Sequence, residues 1–409
     1  MPDYIKNLEK LASLYLEAGE INEYKKLLSG SGSKIQPNAS VSDQEQLQHS
    51  MSSPEKYQAA IDILITYAKG KLSKSRFYQL AFHIGDRSIF LGELSAALKV
   101  FSLIISEIKE EETLQNIVAQ CYLALGDIYS RQADWKTSIK NIKLASGIFK
   151  KYKDFKGIAK CENLIGTIQG EKGEIKKAKA HFEKSISELD FRKDNVLMGM
   201  MDINLGVLNT IQGNYDVALT CYQRSLVTFE QLEDTRRIIE IRHNLGMLYT
   251  QKGEFKEALA EFDQSIFLAL KLSYSPTLGM SYLSKAFIYT RMHDYPLAIA
   301  FADRALEICT RLNDRLSIAD IYKIKGIIER SSHNYKSAEN YLLSSLRINQ
   351  ELENSLNEAE TNFELGLLYL ELNKEKEAKQ VLMSALKYYK KSGVAETARQ
   401  IESLLFFSN

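Results

Sequence analysis

Between Asn244 and Leu270 the chain reads NLGMLYTQKGEFKEALAEFDQSIFLAL, two amphipathic stretches joined by a short polar break. Apolar residues recur three and four apart on either side of Gly253, which predicts one buried helical stripe on each side. The pattern repeats every forty residues. With Gly246 as a marker, steps of forty lead back to Gly206, Gly166 and Gly126 and forward to Ala286, Gly326 and Gly366, so seven copies follow one another without insertion or deletion. Two residues after each marker stand Ile128, Ile168, Leu208, Leu248, Ile288, Ile328 and Leu368. Nineteen after it stand Ala145, Ser185, Ser225, Ser265, Ala305, Ser345 and Ala385, a column that is always small because two helix backbones meet there. A fixed period of roughly 20 to 50 residues predicts stacked copies of one supersecondary unit.

The breaks between helices are also periodic. Seven after the marker come Ala133, Gly173, Gly213, Gly253, His293, His333 and Asn373, where a turn with positive φ is expected. Twelve before it come Asp154, Asp194, Asp234, Tyr274, Asp314 and Asn354, which, Tyr274 excepted, read as N-caps of the first helix of each pair.

The small residue at Gly246, the aromatic at Tyr249, the turn at Gly253, Ala258, the aromatic at Phe262 and the small Ser265 together resemble the tetratricopeptide repeat. The period is forty residues rather than the family's 34, and the usual proline at the repeat end gives way to an acidic cap, so the long-period variants of signalling scaffolds are most similar. The resemblance implies an all-α right-handed superhelix of about eight to nine helical hairpins with a C-terminal capping helix. It also implies a concave groove lined by the first helix of each pair.

The flanks are less regular. Residues 1–28 read as a degenerate hairpin, with Ala12, Tyr15, Gly19, Tyr24 and Leu28 in register. Residues 29–53 are rich in Ser, Gln, Gly and Asn and read as a flexible polar linker. Residues 54–112 hold a strongly apolar helix and an irregular repeat marked by Gly85, Gly92 and Phe101. The regular repeats occupy 113–391, and 392–409 read as the closing helix, ending in Leu404, Leu405, Phe406 and Phe407. Those residues either cover the last repeat or join two copies of the chain as a homodimer.

Composition narrows the function classes. The 53 Lys and Arg against 52 Asp and Glu leave a formal charge of +1 in 409 residues, which argues against nucleic acid as a partner. No apolar run is long enough to span a bilayer and the start MPDYIKNLEK has no apolar signal core, so a cytoplasmic protein without a membrane partner is expected. Cys121, Cys161, Cys221 and Cys309 are scattered over repeat positions and fit neither a disulfide framework nor a zinc site. The six histidines do not cluster in sequence, and His293 and His333 are explained by the turn column. There is no phosphate-binding loop, dinucleotide fingerprint or HExxH, so no enzyme, cofactor or metal is expected. Trp135 opens a second helix and reads as a packing residue.

The informative surface is the stripe at −6, −3, +1 and +4/+5 from the marker, opposite the core columns of the first helices. It carries Met200, Ile203, Val207, Met247, Met280, Leu283, Phe287 and Ile327, apolar where a lone hairpin would meet water. His243, Arg291, Lys323 and Arg330 lie around it and suggest acidic groups on the ligand. The columns that hold a Lys and Asn clamp in chaperone-binding relatives here read Asn163 with Thr167, Ile203 with Val207 and His243 with Met247, so that clamp is absent. The expectation is a non-catalytic scaffold that binds a peptide or helix of a partner protein in the groove. A peptide- or partner-sensing regulator of a bacterial signalling system and an accessory subunit of an enzyme complex are the alternatives.

Overall fold

A computed structural model describes residues 3–30, 53–108, 111–172, 174–187, 195–392 and 395–407. The central part of the linker expected at 29–53, with His49, lies outside the described residues, as do Gly173 and Asp194. The described residues form twenty α-helices and one short 3-10 turn, with no strand. The chain divides into two compact units, Met1–Ile128 with Lys140–Gly157, and Tyr129–Ile139 with Ile158–Asn409.

In the first unit, α1 (Asp3–Ala12), α2 (Ala18–Gly30) and α3 (Ser53–Lys71) precede the hairpin of α4 (Lys74–Leu91) and α5 (Leu94–Glu107). Ala12 and Tyr24, two of the degenerate markers, are fully buried, and the Tyr24 hydroxyl donates to the Ala60 carbonyl at 3.4 Å. Helices α6 (Gln115–Arg131) and α7 (Trp135–Lys151) follow.

The second unit is the regular array. Its first helices are α8 (Phe155–Glu171), α10 (Asn195–Ile211), α12 (Thr235–Lys252), α14 (Pro276–Arg291), α16 (Arg315–Ser331) and α18 (Ser355–Glu371). Their partners are α9 (Ile175–Ser187), α11 (Tyr215–Gln231), α13 (Phe255–Leu272), α15 (Tyr295–Arg311), α17 (Tyr335–Glu351) and α19 (Glu375–Ser392). The fold is an all-α solenoid of helical hairpins, closed by α20 (Ala395–Phe407). Leu404 and Leu405 pack on Leu386, Tyr389 and Ile401, whereas Phe406 is 78% exposed.

The repeated columns have direct physical causes. A Cβ on Gly246 would lie 2.6 Å from the Phe262 ring, and Gly206, Gly166 and Gly85 sit equally close beneath Tyr222, Phe182 and Phe101. The marker is small because the bulky residue sixteen further on occupies the space. In the small column, the hydroxyls of Ser185, Ser225 and Ser265 donate to the carbonyls of Ala159, Gly199 and Ile239 at 2.8, 3.0 and 3.1 Å, cross-linking two helices at close approach. The turn residues Ala133, Gly213, Gly253, His293, His333 and Asn373 all have positive φ. Asp154, Asp234, Asp314 and Asn354 accept hydrogen bonds from backbone amides three residues on. Where the cap column holds Tyr274, Ser275 and Pro276 start the helix instead.

Candidate functional site

Along the second unit, α10, α12, α14 and α16 each touch the next first helix directly, which places the row from α10 to α18 on the inner side of the curve. The stripe at −6, −3, +1 and +4/+5 runs across this layer. Met200, Val207, Met247, Met280, Leu283 and Ile327 are half-buried and Phe287 is 39% exposed. Met200 and Val207 lean on the core around Ile241, Met247 on Phe262 and Leu283 on Ile324, so neighbouring helices support the wall from behind. Ile203 departs from the expectation: at 7% exposure it belongs to the core. The wall also reaches further than Ile327, because Phe363, Leu367 and Leu370 continue it half-buried on α18. They occupy the −3, +1 and +4 columns and were open to discovery by running the register one repeat on.

Three of the four expected cations, His243, Lys323 and Arg330, are not free to meet an acidic ligand. His243 is buried, its Nδ1 is 3.0 Å from Ser281 Oγ, and its ring lies against Phe262. Burial pulls its pKa down from the ordinary 6.5 to about 4, so the ring is neutral at pH 7. Lys323 Nζ is 3.1 Å from Asp320 and also bonds Glu360. Burial works against its charge, but those two carboxylates overcome this and raise its pKa. Arg330 donates to Glu364 at 2.9 Å and to Glu371 at 2.8 Å. Arg291 is exposed and has no ion partner among the described residues.

The carboxylates that engage these cations were missed at the sequence level, although Asp320 and Glu360 stand in the −6 column. Four of them, Asp320, Glu360, Glu364 and Glu371, share Lys323 and Arg330. Burial pushes the pKa of Asp320 and of Glu364 upward, and Lys323 and Arg330 offset only part of this. On α12 the balance is opposite. Arg237 lies 2.6 Å and Arg236 3.5 Å from Glu240, and Tyr274 donates to the same carboxylate at 2.8 Å. Burial disfavours the Glu240 charge, but these arginines, with the Tyr274 hydroxyl and Arg131, hold its pKa at about 2. The wall therefore has an arginine–glutamate group on α12, an apolar stripe on α14 and a shared cluster of Lys323, Arg330 and four carboxylates on α16 and α18.

Elsewhere, His293 and His333 are exposed at their turns, with Nδ1 3.0 and 2.9 Å from the hydroxyls of Tyr295 and Tyr335. His181 is 2.8 Å from Glu162, which also binds Lys184 at 2.6 Å. His83, which has no evident partner in the sequence, bonds the Tyr15 hydroxyl. It lines an open cavity of about 260 Å³ in the first unit with Gln79, Phe82, Asn116, Ile117 and Gln120. Among the described residues no three His, Cys, Asp or Glu side chains are arranged to hold a metal, and no helix is long and apolar enough to cross a membrane. The four cysteines are buried and unbridged.

The tetratricopeptide repeat family matches residues 197–269, 277–351 and 317–391. Residues 197–391 are tetratricopeptide repeats. No curated protein sequence matches the chain. Among solved structures, a Rap protein complexed with competence and sporulation factor is similar over 98% of this chain and 100% of its own, at 13% identity and a TM-score of 0.59. Cut9 from the APC/C hetero-tetramer Cut9–Hcn1 covers 98% of this chain and 73% of its own, at 16% identity and 0.56. NprR in complex with its cognate peptide NprX covers 68% and 84%, at 16% identity and 0.51. At these identities the likeness is one of fold, and each repeat here has the same hairpin architecture with a forty-residue period.

Proposed function

We propose that the second unit is a non-catalytic receptor for a short peptide or a helical segment of a partner protein, held along the inner wall of its first helices. The observation that carries this reading is the half-exposed apolar row from Met200 through Met247, Leu283 and Phe287 to Ile327, set on a rigid helical layer. Flexible methionines beside one exposed aromatic can adapt to an apolar ligand, and rigid support limits the ordering cost of binding. Two of the similar folds carry a bound factor or peptide, NprR among them. That supports a sensing role in bacterial signalling over a purely architectural one. Titratable side chains on the wall are engaged in ion pairs rather than set around a vacant reaction centre, which supports binding without chemistry.

The test is affinity capture from the source organism's extract by the full chain and by Met247→Glu/Phe287→Glu. Ligands of the wall should fall at least about tenfold in recovery with the double variant, as expected when charge is placed in an apolar contact. Equal recovery by both proteins, with unchanged far-ultraviolet circular dichroism, would remove the wall as the site.

A further inference from the structure

From Trp135 to Lys153 the chain carries six lysines and no Asp, Glu or Arg, a strong local excess in a protein whose formal charge is +1. Every other second helix of the regular hairpins holds at least one carboxylate, such as Glu183 on α9, Asp216 on α11 or Glu257 on α13. On α7 itself Lys136, Lys140, Lys143, Lys150 and Lys151 fall within an arc of about 120°. The buried Ile142, Ala145 and Phe149 lie on the opposite side. From Lys136 to Lys151 the row runs about 22 Å along the axis at 1.5 Å per residue. These five lysines, and Lys153 in the turn that follows, are exposed, and none forms an ion pair with a carboxylate among the described residues. The acids that bracket the run are engaged at helix starts. Asp134 accepts from the Thr137 amide at 3.1 Å, and Asp154 accepts from the Gly157 amide at 2.8 Å and from Asn116 at 2.9 Å. Three apolar side chains also stand exposed on this stretch: Leu144 inside the lysine arc, Tyr152 just after it, and Phe155, 55% exposed, at the start of α8. Lys151 Nζ lies 5.2 Å from the centre of the Tyr152 ring.

We propose that this face of α7 lies against an anionic lipid surface, with its lysines among the phosphate headgroups and Leu144, Tyr152 and Phe155 entering the boundary between headgroups and acyl chains. Charge complementarity requires an anionic partner, and the kind of cation selects which one. Lysine is a hydrated point charge on a flexible stem, suited to mobile headgroups that rearrange around it. Arginine is the residue that bonds a phosphate or carboxylate at two fixed points, and it is enriched at protein interfaces where lysine is depleted. The run contains no arginine. Leucine and aromatic side chains beside a lysine row are those that settle at headgroup level. No helix among the described residues is long and apolar enough to span a bilayer, but that does not bear on a helix lying along its surface. The inference is independent of the wall on the first helices, to which α7 contributes no residue.

The experiment is co-sedimentation of the full chain with vesicles of phosphatidylcholine, alone or with roughly a third phosphatidylglycerol, at about 0.1 M and about 0.5 M salt. Wild type is compared with Lys140→Gln/Lys143→Gln/Lys150→Gln, with Leu144→Ser/Phe155→Ser, and with Lys376→Gln/Lys387→Gln/Lys391→Gln, which removes the same charge from α19. A lysine at an anionic surface contributes about fivefold in partitioning. Wild type should therefore prefer the anionic vesicles by more than about tenfold at low salt and lose most of that preference at high salt. The α7 lysine variant should lose more than about tenfold, the α19 variant less than about twofold, and Leu144→Ser/Phe155→Ser about fivefold at either salt. Equal binding to both kinds of vesicle, or equal losses in the α7 and α19 lysine variants, overturns the proposal. An unchanged affinity in Leu144→Ser/Phe155→Ser overturns insertion at the boundary. A fluorescein-labelled single-stranded RNA is titrated in parallel. Binding of the RNA that is lost in the α7 lysine variant, with no sedimentation on anionic vesicles, makes the row a nucleic-acid surface and overturns the lipid assignment. Circular dichroism of each variant separates lost contacts from lost fold.

Discussion

Ala286 is the marker residue that is not glycine in the seven regular repeats, and the residue sixteen beyond it is Ala302, where others carry Phe182, Tyr222 or Phe262. The two columns exchange volume: a methyl group on one helix is matched by the loss of a ring on the other. Ala302→Phe should therefore overpack the contact and cost about 1–3 kcal/mol in urea unfolding, and adding Ala286→Gly should recover part of that loss. Simple additivity of the two changes would refute the exchange. His243 supplies a second test at this scale. Its pKa falls from the ordinary 6.5 to about 4 in the folded chain, so below pH 6.5 the unfolded state gains a proton that the folded state refuses. Stability is then lost as pH falls from about 6.5 towards 4, by up to roughly 1.4 kcal/mol per pH unit. Asp320 and Glu364 act in the opposite sense because burial raises their pKa values. The His243 contribution is thus the difference between the pH profiles of wild type and His243→Gln, and identical slopes would show that the ring is not held neutral.

Helix ends show how far local chemistry reaches. Asp234 accepts the Arg237 amide at 3.2 Å, whereas Asn214 begins α11 without a side-chain cap bond. Asp234→Ala should cost about 1 kcal/mol, and Asn214→Ala should change stability by less than about 0.5, measured by denaturant unfolding. Equal losses would mean that the cap bond is not what the aspartate contributes. Most of the regular array was legible in the sequence because each repeat solves the same local problem: a small residue under a ring, a positive-φ turn, and a capped restart. A second row of positive φ, at Lys153, Glu233, Ser273, Asn313 and Glu353, was not legible, since none of these residues is a glycine. The site was only half legible. Its apolar columns follow from register, and Phe363 and Leu367 obey the same rule. Charge did not follow from register, because Glu360 for Lys323 and Glu364 and Glu371 for Arg330 lie one repeat further on. Ile203 was misplaced because a column on the inner wall can still be closed over by the next helix.

At the scale of the second unit, the turn after α6 has a contact that no local pattern foretells. Ala133 is buried with Ala319, Ile348 and Leu352, and Trp135, Leu316 and Tyr322 pack against that cluster. Arg131, at the start of the same turn, lies near Glu240, Tyr274 and Asp314. In a solenoid held only by nearest neighbours, residues about 180 positions apart would not meet. Here the contact ties an early segment to the sixth regular repeat, and such a tie should restrain the curvature of the wall. Because Trp135 is the only tryptophan, its fluorescence reports this contact alone. Ala319→Glu should move the emission maximum to the red while leaving far-ultraviolet circular dichroism unchanged, since a carboxylate buried at a fully enclosed position drives the cluster apart without unwinding either helix. The same substitution should weaken any peptide bound along α12 to α16 by loosening the spacing between those helices, although Ala319 does not belong to the inner stripe. A blue emission maximum retained in Ala319→Glu would show that Trp135 packs elsewhere, and an unchanged peptide affinity alongside a red shift would show that the wall keeps its curvature without the tie.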